Sequence, residues 1–502
     1  MLAKHNLLLC LGLGVSLLLL AFRDKAVAPA APPPLQPNIL FILADDLGYG
    51  DVGFTRGQLV TPVLDALARG GVTLQQHYAT PQCTPSRAAL LTGLFPSRLG
   101  DHATKAHNGK VLPAGMPTLA SLLRKQGYRT GISGKWHVGV TFEDGPLHHG
   151  FERAYGILNG GCTQFGHHYK GPDSLTWYRQ DRYLEEEGHT TDLLTQNVID
   201  WIEEGAADDR PWFYYLPYTA VHVPIQVPGE WVDRYAEGQF YDDPRLDEAK
   251  RRYAGFVTQL DARIGDVLAA LERSGQADNT IVVFTSDNGA PESWLYRGKY
   301  PQDTLLADSP VLGSNFPFRG WKQDVYEGGI RIPAIVRWPA GGVVRAVLDG
   351  PTHLVDWLPT LLEAAGCADC TPEGDGHSLL LALRGEQSLV PDRSLYWRFP
   401  GASALRHGDL KLLAFERGDG RTDYELYQLK DDPGEQRDLT RRPVNDSLVE
   451  GMKKRLAVAR EQDYTLRLTH VPYDSTIQYG NLKLNPTPGT DAANNLRDYR
   501  GH

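Results

Sequence analysis

The 502-residue chain has five cysteines, no run of lysine and arginine, and no apolar stretch long enough to cross a bilayer. Each shortage excludes something. Without a basic run there is no face for a phosphate backbone, and a formal net charge of -10 opposes one further, so nucleic acid is excluded as a partner. Any anionic ligand must be held by a few local cations rather than by a broad field. The one strongly apolar run, Leu7–Phe22, has 16 residues, short of the roughly 20 that span a membrane. Lys4 and His5 precede it and "AVA" at Ala26–Ala28 fits a signal-peptidase site, so residues 1–28 read as a leader of an exported chain, periplasmic or secreted. An uncleaved anchor is the alternative. Cleavage leaves no membrane span and removes three basic and one acidic residue, taking the net charge from -10 to -12.

The leader would also carry away Cys10, leaving Cys83, Cys162, Cys367 and Cys370. Cys367 and Cys370 could pair in an oxidising compartment, through a tight loop. Zinc is disfavoured, because two thiols make half a site and no second Cys pair or His-x-His lies nearby.

What is present is globular. Hydrophobic residues make up 41% and charged residues 22%, and 52 glycines with 34 prolines imply many loops. The length suits one large domain and a smaller one. A Pro-rich linker (29–37) precedes "NILFILADD", an apolar run of buried parallel-strand type. Helix-like and strand-like segments then alternate: "TPVLDALARGG", "MPTLASLLRKQGYRTGISGKWH", "TTDLLTQNVIDWIEE", "PWFYYLPYTAVHVP", "RRYAGFVTQLDARIGDVLAALERSG" and "NTIVVFTSDNG". This alternation predicts an α/β fold with a large, mainly parallel sheet flanked by helices over residues 38–385. Short strands such as "SLYWRF", "LKLLAF" and "YELYQL" and one helix predict a small antiparallel α+β subdomain over 386–470. Residues 471–502 read as a tail, and there is no internal repeat.

In open parallel sheets, ligands bind at the carboxyl ends of the strands. Four predicted strands end in polar groups: Asp45-Asp46, Lys135-Trp136-His137, the segment reaching His222, and Asp287-Asn288. Each alone could be a turn or a core residue; four at one edge are harder to dismiss. Asp45, Asp46, Asp287 and Asn288 are hard oxygen ligands suited to Ca²⁺ or Mg²⁺. With Arg87, Lys135, Lys322, His137 and His222 they describe a pocket for a small tetrahedral anion or its ester. Cys83 opens a helix, where free N–H groups favour negative charge.

"CTPSRAALLTG" (Cys83–Gly93) resembles the Cys-x-Pro-x-Arg motif of the type I sulfatases of the alkaline-phosphatase superfamily. "GYRTGISGKWH", "NILFILADDLGYGD", "FRGWKQDVYEGGIRIP" and "ELYQLKDDPGEQRDL" also resemble motifs of that family, over roughly Asn38–Leu439. Gln82 departs from it, standing where a small or apolar residue is usual. The resemblance implies that Cys83 is converted to formylglycine by a formylglycine-generating or anaerobic maturing enzyme. It implies one Ca²⁺ held by Asp45, Asp46, Asp287, Asn288 and residue 83, with Arg87, Lys135, His137, His222, Asp287 and Lys322 as catalytic groups. The implied reaction is hydrolysis of a sulfate ester, on a sulfated sugar or oligosaccharide, through a covalent sulfo-enzyme. The alternatives are a phosphodiester or phosphonate monoester hydrolase of the same superfamily, and an inactive protein that binds sulfated glycans. The stretch Gly160–Tyr183, rich in His and aromatics, reads either as the pocket mouth or as a surface insertion.

Overall fold

The computed structural model describes residues 36–171, 174–292, 312–389 and 393–463. The expected leader (1–28), all but the end of the linker (29–37) and the tail (471–502) lie outside the described residues.

Among the described residues, eleven strands form one sheet: β1 (Asn38–Ala44), β2 (Val72–Tyr78), β3 (Arg129–Lys135), β4 (Arg153–Ile157), β5 (Trp177–Arg179), β6 (Arg182–Tyr183), β7 (Trp212–Pro217), β8 (Thr280–Ser286), β9 (Arg331–Ile332), β10 (Ala334–Arg337) and β11 (Ala346–His353). Their order is β11-β2-β10-β8-β1-β7-β3-β4-β5-β6, with β9 beside β2. The apolar run of β1 lies at the centre, paired in parallel with β7 and β8. Its alternate residues serve two cores: Ile39, Phe41 and Leu43 on one face, Leu40, Ile42 and Ala44 on the other.

The expectation of a mainly parallel sheet holds for the centre, β8-β1-β7-β3-β4. Antiparallel pairs flank it, β10 against β8 and β2 and the β4-β5-β6 meander, while the edge strand β11 pairs with β2 in parallel. Strands β5 and β6 are separated by two residues, which leaves no room for the crossover that parallel pairing needs. Because β10 opposes both β8 and β2, those two run the same way. Strands β1, β2, β3, β7 and β8 therefore release their carboxyl ends along one edge.

Helices α1 (Pro62–Gly70), α2 (Cys83–Thr92), α3 (Leu119–Lys125), α4 (Thr190–Gly205), α5 (Pro244–Arg273) and α6 (Trp357–Ala364) flank the sheet. All ten residues of α2 are buried, and Gly93 (φ 69) closes it in the left-handed conformation that favours glycine. Helix α5 starts seven residues before the sequence pattern predicts. The Asp243 carboxylate accepts from Arg245 N and Leu246 N at 2.9 and 3.3 Å, and Pro244 takes the first helical position. The strand expected to run on from "PWFYYLP" stops at Pro217; beyond it the chain follows β1 through Tyr218 N–H to Leu43 O (2.9 Å), Val221 N–H to Asp45 O (2.8 Å) and Asp45 N–H to Ala220 O (2.9 Å). Cys367 and Cys370 are joined as a disulfide after α6.

Four antiparallel strands, β12 (Ser394–Phe399), β13 (Ala402–His407), β14 (Leu410–Glu416) and β15 (Thr422–Gln428), pair in chain order. Their period-2 pattern has two destinations. Leu405, Leu412, Ala414 and Leu426 meet Val449, Met452 and Leu456 of helix α7 (Asp446–Glu461). Trp397, Ala404, Leu413 and Tyr427 pack on Tyr78 and Ile330 of the large-sheet layer. At the junction Arg393 grips Asp356 with two hydrogen bonds of 2.6 Å, the pair nearly dry. Burial pushes the Asp356 carboxyl up, but Arg393 and two backbone N–H donors outweigh it and hold the group ionised.

Breaking a buried ion pair by removing one partner costs about 3–5 kcal/mol. Arg393→Met should lose stability on that scale in chemical denaturation; a loss below about 1 kcal/mol, the worth of an exposed pair, would show that the pair is not structural.

Candidate active site

Every site residue singled out in the sequence arrives at the carboxyl edge. Strand β1 ends in Asp45 and Asp46, the latter turning sharply at φ 62. Strand β8 ends in Asp287, whose N–H donates to Ala44 O at 3.1 Å, and Asn288. Strand β2 leads through a short loop to Cys83, the first residue of α2. Strand β3 ends in Lys135, and His137 (φ 58) follows β4 by donating to Leu158 O. The loop after β7 brings His222, and Lys322 is seated by its N–H on Ala290 O at 3.0 Å. All but Lys322 are buried, and the Lys322 side chain is only 6% exposed.

The contacts form a closed set. Arg87 lies one turn along α2 from Cys83, as expected, and donates to Asp287 Oδ2 and Lys135 O, both at 2.8 Å. Lys135 Nζ donates to Asp45 Oδ2 at 2.5 Å. Lys322 Nζ spans both Asp46 oxygens at 2.6 and 2.9 Å. Asp287 Oδ1 accepts from Asp46 N at 3.2 Å, and Asn288 Nδ2 donates to Asp46 Oδ1 at 2.7 Å. His222 Nδ1 donates to Val223 O at 2.7 Å, which directs Nε2 into the cluster, 3.8 Å from Asp46 Oδ2. A carbonyl only accepts, so this bond fixes the tautomer.

Burial dominates the electrostatics. It pushes the Asp45 carboxyl up, aided by Asp287 and opposed by Lys135. It raises Asp46 too, but Lys322 and His222 outweigh it and leave that carboxyl below its usual range. It raises the Cys83 thiol, so this cysteine is not a thiolate here. His137 falls well below its usual value, through burial and then Lys135 and Arg87. His222 falls to about 3, through burial and the two lysines, against the pull of Asp46. Both imidazoles are therefore neutral near pH 7.

Asp45 Oδ1 and Asn288 Oδ1 are buried without a hydrogen-bond partner among the described residues. Asn288 spends its Nδ2 on Asp46 and Gly289 O, so its oxygen is the free end. The Cys83 Sγ and oxygens of Asp45 and Asp287 lie within 4.8 Å of one another, as do ligand atoms of Asp45, Asp46 and His222. Lone buried oxygens among carboxylates are what a divalent cation requires, and the acidic residues can hold one.

Three neighbours were not singled out as site residues in the sequence, though two of them lie in the stretch 160–183 read there as pocket mouth or surface insertion. The buried Tyr215 hydroxyl sits against Arg87, but its run "WFYYLP" reads as core. Cys162 is buried near Lys135 and Asp45. Gly160 packs so closely that a Cβ there would lie 2.5 Å from His137 Nε2, and its N–H donates to Asn108 Oδ1. The paired glycines 160–161 were the available signal. In the stretch 160–183, of which 172 and 173 lie outside the described residues, Gly160 thus touches the site. His167, by contrast, stacks on Trp177 and donates to Gly188 O, a packing role.

The family model described as sulfatase matches residues 37–367. The chain belongs to the sulfatase family, the sulfuric ester hydrolases. A model described as N-sulphoglucosamine sulphohydrolase, C-terminal, covers 319–462 of this sulfatase. It is 34% identical to N-acetylgalactosamine-6-sulfatase of Canis lupus familiaris over 417 residues, covering 78% of this chain and 74% of that one. Among solved structures, Ps i-CgsB in complex with k-i-k-neocarrahexaose superposes with a TM-score of 0.72 at 27% identity, over 85% of this chain and 93% of that one. The sulfatase has the expected alkaline-phosphatase-like architecture. A phosphonate monoester hydrolase of Agrobacterium radiobacter shares the fold at 20% identity, TM-score 0.61, over 85% of this chain and 96% of that one. Fold alone therefore does not choose between these reactions; sequence does.

The free oxygens give a direct test. Purified sulfatase should carry one divalent ion per chain by elemental analysis, and Asp46→Ala should carry little while remaining folded. Full activity both after exhaustive chelation and in Asp46→Ala would rule the metal site out.

Proposed function

We propose that the protein hydrolyses a sulfate ester on a sulfated carbohydrate, releasing inorganic sulfate, with Cys83 converted to formylglycine. The observation that carries this reading is the meeting of the Cys83 helix start with Arg87, Lys135, His137, His222, Lys322, three carboxylates and Asn288 at one buried edge. The names of the relatives support a sugar substrate. A mature charge of -12 favours chain ends or small sulfated sugars over long polyanions. The N-terminal run supports export, and among the described residues no helix is long and apolar enough to cross a membrane. A maturing enzyme would act on the Cys83–Arg87 segment before use. We assign residues 29–37 to a linker, 38–385 to the catalytic domain and 386–470 to the C-terminal subdomain.

A buried thiol beside hard-ion ligands is a poor nucleophile and a poor ligand; the hydrated aldehyde puts two hydroxyls in the same place. Asp45, Asp46, Asp287, Asn288 and residue 83 would hold the ion, which we take as Ca²⁺, with Mg²⁺ the alternative. When bound it supplies Lewis-acid polarisation of the sulfate and of the attacking oxygen. Asp287 accepts the proton of the attacking hydroxyl, and that oxygen displaces the sugar alcohol at sulfur. Lys135, Lys322 and Arg87 face the sulfate oxygens as charge builds. His222, with Lys322, delivers a proton to the departing alkoxide. The neutral His137 then removes the proton of the second hydroxyl, the C–O bond to sulfate breaks, and the aldehyde returns.

Assays with aryl sulfate, aryl phosphate and a phosphonate monoester, followed by a panel of defined sulfated sugars, test the reading. Preference for phosphate or phosphonate would favour the related hydrolases, and no turnover with tight binding of sulfated sugar would favour an inactive binder. Mass spectrometry of the peptide holding residue 83 should show loss of sulfur and gain of oxygen. Fully active protein with an unmodified thiol would overturn the mechanism.

His222 gives a sharper test. It rests neutral, so it must gain a proton, from Lys322 or from solvent, once an anionic substrate fills the site. A sugar alkoxide needs that proton far more than a nitrophenolate does. General-acid help is worth about 10²–10⁴-fold, so His222→Ala should lose about that much kcat on a sulfated sugar and much less on nitrophenyl sulfate. Equal losses on both substrates would exclude the acid role and leave Lys322 as the donor.

A further inference from the structure

The closing motif of the C-terminal sheet plays no part in the chemistry above, yet it holds an unusual residue. Glu435 has φ 53, a left-handed conformation that favours glycine or asparagine. Gly434 stands beside it, so a glycine was within one residue of the turn. What Glu435 offers and glycine does not is a carboxylate, and it is fully buried.

That carboxylate reaches across to the catalytic layer. Glu435 Oε2 accepts from Glu327 N at 2.6 Å. Lys411 Nζ lies 2.9 Å from Glu435 Oε1 and 2.9 Å from Glu327 Oε1, and all three side chains are wholly buried. The Glu435 carbonyl accepts from Arg319 at 3.0 Å. Arg319 O in turn accepts from Gly328 N at 2.6 Å. Residue 435 thus ties down both ends of the segment 319–328. Lys322 sits within it, and its neighbour Gln323 donates from N–H to Pro81 O, two residues before Cys83.

We propose that Glu435, with Lys411 and Arg319, is a positioning residue that fixes the 319–328 loop so that Lys322 Nζ meets Asp46. The proposal rests on the reading of Lys322 as a group of the sulfatase reaction. It gives the C-terminal sheet a catalytic duty without any contact with substrate.

The test is a double-mutant cycle on the full, matured chain: wild type, Glu435→Gln, Lys322→Ala and the double variant, with nitrophenyl sulfate. Glutamine keeps the size but removes the charge and sets an amide donor against Lys411 or the Glu327 N–H. Glu435→Gln should lower kcat/KM about tenfold in the wild-type background and less than about twofold in Lys322→Ala, the pattern of residues acting through one contact. Equal losses in both backgrounds, or no loss in wild type, would overturn the proposal. If thermal unfolding shows that Glu435→Gln does not fold, Arg319→Met takes its place with the same expectations, its side chain being 41% exposed.

Acetylation kinetics at Lys322, followed by mass spectrometry, answer without turnover. The rate should rise several-fold when residue 435 loses its charge, and an unchanged rate would also overturn the proposal. A wild-type enzyme inactive on every sulfate ester would instead overturn the functional reading, while the acetylation result would still decide the positioning role.

Discussion

Three carboxylates share one buried sheet edge, and the site is arranged around what it takes to keep them there. Each has a principal cation: Lys135 on Asp45, Arg87 on Asp287, Lys322 on Asp46. Removing a charge from water costs several kcal/mol even after relaxation, roughly, and a buried pair seldom repays it in stability. The arrangement is therefore poor as a stabilising device and good as a preorganised field. On the proposed reading, a divalent ion among the carboxylate oxygens would take over their neutralisation. The three cations would then face the cavity with charge to spare for an anion.

The backbone serves the same end. Asp46 and His137 turn into left-handed conformations immediately after their strands, which swings each side chain back over the sheet edge instead of onward into a loop. Asp and His tolerate this conformation better than most residues, but it persists only where the surroundings determine it. Here they do: Asp46 N–H is held by Asp287, and His137 N–H by Leu158. Gly160 completes the fit, since any side chain there would drive into the His137 ring.

What the sequence shows of this, and what it hides, follows from the range of the signals. The apolar runs of β1 and β8 and the Cys-x-Pro-x-Arg segment are local, so the central strands and every charged group of the site are legible. The antiparallel parts of the sheet are not, because β9 and β10 together span only residues 331–337, at and just past the end of a motif that draws the eye to Lys322. The first turns of α5 are hidden for a related reason: "DDPRLDEAK" has a cap and a proline but no apolar period. Tyr215 and Glu435 are hidden differently. One is an aromatic in an aromatic strand, the other an acid in an acidic turn, and only their partners 128 and 108 positions away, Arg87 and Glu327, give them meaning.

On the proposed reading, the site divides into a floor and a mouth made by different physics. The floor is strand ends and one buried helix, rigid because it is continuous with the two cores. The mouth is loop: Asn108 joins Gly160 to the Tyr169 hydroxyl, and Lys170 lies over the Tyr169 ring at 4.7 Å. Loops tolerate change that cores do not. A floor set by charge burial can recognise little beyond a tetrahedral anion and the oxygen it leaves with. On that reading, discrimination among sugars falls to loop residues such as Asn108, Tyr169 and Lys170, none of which is a partner in the ion pairs of the floor.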